Sequence, residues 1–215
     1  MKHLLFLLFL SLGFSNIYCQ NKKLQNGIYL TIEDLKSQKP SLLANLNIEK
    51  RSKSDKFYTG GSDYRLVSDI DSISKKFIRK NIYCYVEDDS LMINCRNHDR
   101  GSYFASCLTN GNFLVFYASE TDAKVMSKSL GYTLLFGAIG GAIIGANESD
   151  KRYLMVLSIR TGNLRFLTKE YMKERLKDFP DVLIEFNKET NPDTESVLVK
   201  YINMLNEKIG FTKIE

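Results

Sequence analysis

Three cysteines and one histidine in the middle of the chain are the residues best suited to chemistry. Cys84, Cys95, His98 and Cys107 form a Cys₃His set. Four such ligands are the number that a structural zinc site needs, and a Cys–His pair can supply a nucleophile and its base. However, no Cys-x₂-Cys pair is present, and neither a nucleophile elbow nor an oxyanion-type glycine loop follows His98. We therefore expect no catalytic residue, no metal site and no cofactor, with a hydrolase or thiol enzyme centred on Cys95 and His98 as the weaker alternative.

The N-terminus predicts that the protein is exported. A short polar start is followed by an almost unbroken apolar run over residues 4–14 and by a more polar exit that ends at Cys19. This is the order of regions in a secretory signal peptide, and the apolar run is short for a membrane-spanning helix. We predict a signal peptide over residues 1–19. A retained anchor and lipidation of Cys19 are the alternatives, although residues 16–18 lack the small residue normally found before a lipidated cysteine.

The charge of the remaining chain argues against one class of partner. Removal of residues 1–19 leaves 29 basic and 25 acidic residues, a net charge of +4, mixed along the sequence. No arginine-rich tract with interleaved aromatic residues is present, so we expect no nucleic acid partner. The 196 remaining residues are enough to bury one substantial core.

The cysteines also bear on disulfide formation, which an exported protein favours. An odd number allows at most one internal disulfide and leaves one thiol. If Val86 faces Leu91 in a hairpin, Cys84 and Cys95 lie on the same face but are not directly opposite. A disulfide needs Cα atoms within about 7 Å, so Cys107 on a neighbouring strand is the better partner for one of them.

Short apolar segments predict an antiparallel β-rich body. Residues 82–86 and 91–95 form the clearest hairpin, and residues 103–108 and 113–118 form a second one around an Asn-Gly turn. Further strand candidates are residues 64–67 and 76–79. Together these segments predict an antiparallel meander over residues 60–118, preceded by a strongly charged, exposed strand or loop over residues 48–61.

Helical signals are concentrated near the C-terminus. Thr168 is a good N-cap for a helix, and Asn191-Pro192 is typical of the start of the last one. The predicted organisation is a signal peptide, a β-rich domain over residues 20–167 and a helical C-terminal unit over residues 168–215. We therefore expect an α+β fold with segregated elements, interrupted by an apolar glycine-rich helical or hairpin insertion.

That insertion, residues 130–146 (LGYTLLFGAIGGAIIGA), is the most apolar stretch of the exported chain. It carries no charge, and as a helix it would be ~26 Å long, near the lower limit for crossing a bilayer. Three glycines recur every four residues, as in a glycine zipper, so they would share one helix face and permit close packing. A buried helix packed on the sheet and a hairpin that turns at Gly140-Gly141 are the alternatives. The predicted membrane or partner contacts are Leu134, Phe136, Gly137, Ile139, Gly141, Ile143, Ile144 and Gly145.

Two stretches resemble a family of exported proteins of unknown function from Bacteroidota. One stretch is residues 27–35 (GIYLTIEDL) with Lys39-Pro40-Ser41, and the other runs from Tyr153 to Tyr201. Within the second stretch the similarity rests on Arg160-Thr161-Gly162, Leu167-Thr168 and Pro180. The resemblance implies a secreted or envelope-attached protein, and it transfers no catalytic or binding residue.

These observations together predict an exported, non-enzymatic envelope protein. We expect it in the periplasm, at the outer membrane or outside the cell, with residues 130–146 in contact with a membrane, a protein partner or a second copy of the chain. The alternative is a soluble periplasmic binding or interaction module that buries the same stretch in its own core.

Overall fold

Two antiparallel sheets organise the fold, which a computed structural model describes for residues 24–118 and 152–210. Six strands form the first sheet in the order β1-β4-β5-β6-β3-β2, and three form the second in the order β7-β8-β9. The strands are β1 (Gly27–Tyr29), β2 (Asn47–Lys50), β3 (Tyr64–Val67), β4 (Cys84–Glu87), β5 (Ser90–Asn94), β6 (Phe104–Ser106), β7 (Phe113–Ala118), β8 (Tyr153–Ser158) and β9 (Leu164–Phe166).

Six α-helices accompany the sheets in the described residues, three early in the chain and three at its C-terminal end. They are α1 (Ile32–Ser37), α2 (Lys53–Thr59), α3 (Lys75–Asn81), α4 (Lys169–Arg175), α5 (Pro180–Lys188) and α6 (Glu195–Ile209). The predicted α+β class is therefore confirmed. No helix within the described ranges is long and apolar enough to cross a membrane. The predicted signal peptide 1–19 and the glycine-rich segment 130–146 lie outside those ranges.

Strands β7 and β8 form a middle layer because they are apolar on both faces. One face packs against the first sheet and the other against α4, α5 and α6, so that successive residues of each strand enter different cores. The strand residues of the inter-sheet core are Leu114, Phe116, Ala118, Met155 and Leu157, which meet Tyr29, Cys84, Val86, Leu91, Ile93 and Ala105 of the first sheet. The strand residues of the helix-side core are Phe113, Val115, Leu154 and Val156, which meet Met172, Phe186, Leu198, Tyr201, Ile202 and Leu205.

The outer face of the first sheet carries a third core, which α3 covers. Ser74 caps α3 by accepting a hydrogen bond from the Phe77 N–H at 3.1 Å, and Ile78 is only 2% exposed. The prediction of a strand over residues 76–79 is therefore wrong. The apolar side chains of this segment recur at the helical spacing of Ile78 and Ile82, and both are buried against this face.

The hairpin predicted over residues 82–95 is confirmed. Val86 pairs with Leu91 and Cys84 with Ile93. The loop has two residues, and Asp88 has a φ of 51°, the left-handed conformation that a tight hairpin loop requires.

The second predicted hairpin is wrong, because β6 and β7 belong to different sheets. Only an isolated bridge between Cys107 and Phe116 joins these two segments. The chain bends at Gly111 and Asn112, but a strand as apolar on both faces as β7 must be covered on both sides. The chain therefore crosses from the first sheet into the middle layer. The predicted meander is limited to β4, β5 and β6, because β3 pairs with β6 and not with β4.

The C-terminal helices begin at local capping signals. The Thr168 hydroxyl accepts a hydrogen bond from the Tyr171 N–H at 3.2 Å, as expected for the predicted N-cap of α4. The last helix begins at Glu195 rather than at Pro192. Residues 191–194 instead form a turn, in which the Thr194 hydroxyl donates to the Asn191 carbonyl at 3.0 Å.

Candidate functional site at the ends of β7 and β8

The paired ends of β7 and β8 are the point from which the glycine-rich segment leaves the fold. The register of the two strands ends with Ala118 opposite Tyr153. Directly opposed residues of antiparallel strands have Cα atoms about 4.5–5.5 Å apart. Residues 119–151 therefore leave the second sheet and return to it at one place. All eight predicted contact residues, from Leu134 to Gly145, belong to this segment, outside the described residues.

Arg152 fixes the return point to the first sheet. Its guanidinium donates to the Gly61 carbonyl at 3.0 Å and to Asp63 Oδ1 at 3.3 Å, and Lys56 Nζ reaches the same carboxylate oxygen at 2.9 Å. Burial alone would raise the pKa of Asp63, but the hydrogen bonds and positive charges of Lys56 and Arg152 outweigh it and hold the pKa below its usual value. The negative charge of Asp63 thus connects the start of β8 to the segment between α2 and β3.

Arg51 supports this connection from inside the protein. Its side chain is only 5% exposed, and it donates to the carbonyls of Gly60 at 2.7 Å and Ser62 at 2.6 Å. Its guanidinium also stacks 3.6 Å above the centre of the Tyr103 ring. The expectation of an exposed strand or loop over residues 48–61 is therefore wrong at Arg51, which is buried, and over Lys53–Thr59, which is helical. Arg51, Lys56, Asp63 and Arg152 are called the basal cluster below.

The basal cluster was not predicted from the sequence, although the start of α2, which lies between two of its residues, has a recognisable capping signal. Ser52 and Asp55 form a capping box at the start of α2, in which each side chain bonds the other residue's backbone N–H. That signal identifies the helix between Arg51 and Asp63. Arg152, however, is 89 residues from Asp63, and no local pattern predicts their contact.

The three cysteines face the inter-sheet core with free thiols. Cys84 and Cys95 are buried and Cys107 is half-buried. Cys84 lies opposite Ile93, which places Cys95 on the same face two residues further along, as the sequence predicted. No disulfide joins any of the three. Burial raises the pKa of Cys95 to about 12, and it raises the pKa values of Cys84 and Cys107 well above their usual range. Such thiols stay protonated at neutral pH and are poor nucleophiles.

His98 lies at the end of a 3₁₀ turn, Cys95–His98. Its ring packs edge-on against Tyr83 with 5.5 Å between centroids, and no hydrogen bond joins it to Cys95. Burial lowers the pKa of His98 to about 4, so the imidazole is neutral at pH 7. Within the described ranges, no group of three or more histidine, cysteine or acidic side chains is arranged to hold a metal ion.

Comparisons with known proteins identify a family but no characterised relative. Neither the curated proteins nor the solved structures gave a match. A family model, described as a family of unknown function (DUF6563), matches residues 27–208. This range includes both sheets, the C-terminal helices and the whole basal cluster. The predicted membership of an uncharacterised family is confirmed, whereas export and an origin in Bacteroidota stay predictions. The chain belongs to the family of unknown function DUF6563.

Proposed function

We propose that the protein is an exported, non-enzymatic envelope protein that contacts a membrane through residues 130–146, with a protein partner or a second copy of the chain as the other candidates. Its location would be the periplasm, the outer membrane or the cell exterior. The observation that carries this proposal is the pairing of Ala118 with Tyr153 on either side of the segment that contains the uncharged stretch 130–146. The basal cluster fixes this exit point to both sheets.

Because Ala118 and Tyr153 are paired, we expect the segment between them to enter and leave a membrane from the same side. A single crossing by residues 130–146 would require one of the flanking segments to return through the bilayer. Residues 147–151 carry Glu148, Asp150 and Lys151, and residues 119–129 carry four charges. A charged residue at the centre of a bilayer costs roughly 2.5–3.5 kcal/mol. A hairpin that turns at Gly140-Gly141, or a helix lying in the interface, avoids that cost.

The packing of β7 and β8 favours a glycine-rich segment that is exposed to a membrane or partner over one that is buried in the protein's own core. In the alternative, a soluble periplasmic module, residues 130–146 would fill part of the protein's own core. The two faces of β7 and β8 already pack against described elements, the first sheet on one side and α4, α5 and α6 on the other. An additional apolar helix is not needed to cover either face.

A vesicle flotation experiment tests the proposal. Residues 20–215 would be centrifuged with phosphatidylcholine vesicles, beside a variant in which Gly-Asn-Gly replaces residues 119–151. That replacement keeps Arg152 and gives β7 and β8 a short loop of ordinary hairpin length. We expect the intact chain to float and the variant to stay at the bottom, with unchanged far-ultraviolet circular dichroism and cooperative melting.

The other outcomes contradict membrane contact in distinguishable ways. An unfolded variant would show that the segment belongs to the core, as the soluble alternative requires. An intact chain that does not float but sediments as a dimer, beside a monomeric variant, would identify a second copy as the partner. Equal flotation of both proteins would show that the segment has no role in membrane contact.

A further inference from the structure

A cavity of about 350 Å³ lies between β3, the start of β6 and α3. Strands β3 and β6 pair at one position, Tyr64 with Phe104. The volume lies at the lower end of the range for ligand pockets, which suits a small molecule. The cavity is lined by Glu49, Arg65, Leu66, Val67, Lys75, Ile78, Arg79, Tyr103 and Phe104.

The inner part of the cavity is apolar and rigidly held. Leu66, Ile78 and Phe104 are at most 5% exposed and belong to the third core, on the outer face of the first sheet. Tyr103 has a φ of 77°, a conformation that is rare and strained for an aromatic residue. The stacked guanidinium of Arg51 fixes its ring. The cavity therefore offers a preformed apolar surface.

The rim of the cavity has an excess of positive charge. It carries Arg65, Lys75 and Arg79 but only one carboxylate, Glu49. Arg65 pairs across the strands with Glu49, and its Nε donates to Glu49 Oε2 at 2.6 Å.

Among the described residues, the two cations on α3 have no such neutralising partner. Lys75 and Arg79 lie four residues apart, so they occupy one face of the helix and repel each other. Both are exposed, and neither forms an ion pair with a residue in the described ranges. An anion bound between them would relieve the repulsion.

We propose that this cavity binds a small amphiphilic anion, with its charged group between Lys75 and Arg79 and its compact apolar body against Leu66, Ile78 and Phe104. The two cations supply charge-assisted hydrogen bonds, and the apolar surface supplies burial. A carboxylate, sulfonate or phosphate monoester on an aromatic or short aliphatic body has this chemistry. The site lies on the outer face of the first sheet and is independent of the proposed membrane contact.

Titration calorimetry with three probes tests the ligand class. The probes are naphthalene-2-sulfonate, the uncharged naphthalene-2-sulfonamide and inorganic phosphate, each added to residues 20–215 at low ionic strength. We expect the sulfonate to bind at least about tenfold more tightly than either other probe, because only the sulfonate uses both the cations and the apolar surface. Equal affinity for the sulfonamide or for phosphate, or no binding of the sulfonate, would overturn the proposal.

Variants on α3 and β2 locate the binding. Lys75→Gln with Arg79→Gln should weaken sulfonate binding by at least about tenfold. The matched control, Lys76→Gln with Lys80→Gln, removes the same charge from the same helix at positions outside the cavity and should leave binding unchanged. Glu49→Gln should strengthen binding, because it releases Arg65 from its ion pair. Equal losses in the two double variants, or weaker binding after Glu49→Gln, would contradict this site.

Discussion

The side-chain amide of Asn206 forms two hydrogen bonds with the backbone of Phe113. Its Oδ1 accepts from the Phe113 N–H at 2.9 Å, and its Nδ2 donates to the Phe113 carbonyl at 2.9 Å. Asn206 is only 6% exposed and lies on α6, whereas Phe113 begins β7. The amide therefore bonds to the start of β7 as a neighbouring strand would, and it joins the last helix to the middle layer.

Replacement of Asn206 by alanine should destabilise the protein by about 2–3 kcal/mol. The change leaves a buried N–H of Phe113 without its partner, which is more costly than the loss of an exposed hydrogen bond. Urea unfolding at equilibrium measures the effect. Asn203→Ala, on the exposed side of the same helix, is the control and should change stability by no more than about 0.5 kcal/mol. Equal effects of the two substitutions would show that the buried amide has no special role.

Gly111→Ala should be destabilising because Asn206 occupies the space that a side chain needs. Gly111 has a φ of 146°, and an added Cβ would lie 2.5 Å from Asn206 Cγ. Gly162→Ala is the control, since its φ of 73° brings strain of about 1–2 kcal/mol without a close contact. We expect a loss about 2 kcal/mol larger for Gly111→Ala in the same urea assay. The double variant with Asn206→Ala should lose less than the sum of the single effects, because the clashes with Asn206 Cγ and Oδ1 disappear and only the one with its Cβ at 2.8 Å stays. Full additivity would contradict this explanation.

Alkaline pH should destabilise the fold through the buried thiols. Folding raises the pKa of Cys95 to about 12, whereas an unfolded cysteine ionises near about 8.5. Stability is therefore constant below about pH 8.5 and falls above it, because only the unfolded chain releases the proton. At pH 9.5 each buried thiol should reduce the free energy of unfolding by about 1.4 kcal/mol. Comparison of urea unfolding at pH 7.5 and 9.5 measures this loss, and Cys95→Ala should reduce it by about a third. An unaltered pH dependence in that variant would count against a buried, protonated Cys95.

Mild acid should destabilise the protein through His98. Its pKa is lowered to about 4 in the folded state, against about 6.5 in an unfolded chain. The contribution is fully present above about pH 6.5 and is lost as the pH falls toward 4, because the unfolded state binds a proton that the folded state does not. Between pH 7 and pH 5 the expected loss is about 2 kcal/mol. His98→Gln should remove most of this dependence in thermal unfolding, and a variant that keeps it would assign the effect to another group.

The features that the sequence predicts correctly depend on short-range signals. The hairpin over residues 82–95 follows from two β-rich segments around a polar turn, and Thr168 caps α4 through a residue three positions away. From that hairpin alone, Cys84 and Cys95 could be placed on one face. Each of these interpretations needs only neighbouring residues.

The features that the sequence does not predict depend on contacts between distant segments. The strand predicted over residues 76–79 is helical because Ile78 and Ile82 cover the outer face of a sheet that later strands complete. The second hairpin fails because β7 is stabilised by β8 and the C-terminal helices rather than by β6. Neither the basal cluster nor the cavity beside α3 has a sequence pattern, since each unites elements that are separate in the chain.

The pairing of Ala118 with Tyr153 also determines how much the length of residues 119–151 matters to the fold. The cost in chain entropy of closing a flexible loop grows only logarithmically, so each doubling of its length costs about 0.6 kcal/mol. Under the proposed presentation of the segment outside the core, the two sheets and the helices should tolerate a shorter, longer or unrelated sequence between these two positions at little cost in stability. The same exit point would then be suited to carrying a grafted peptide at a fixed place on the scaffold.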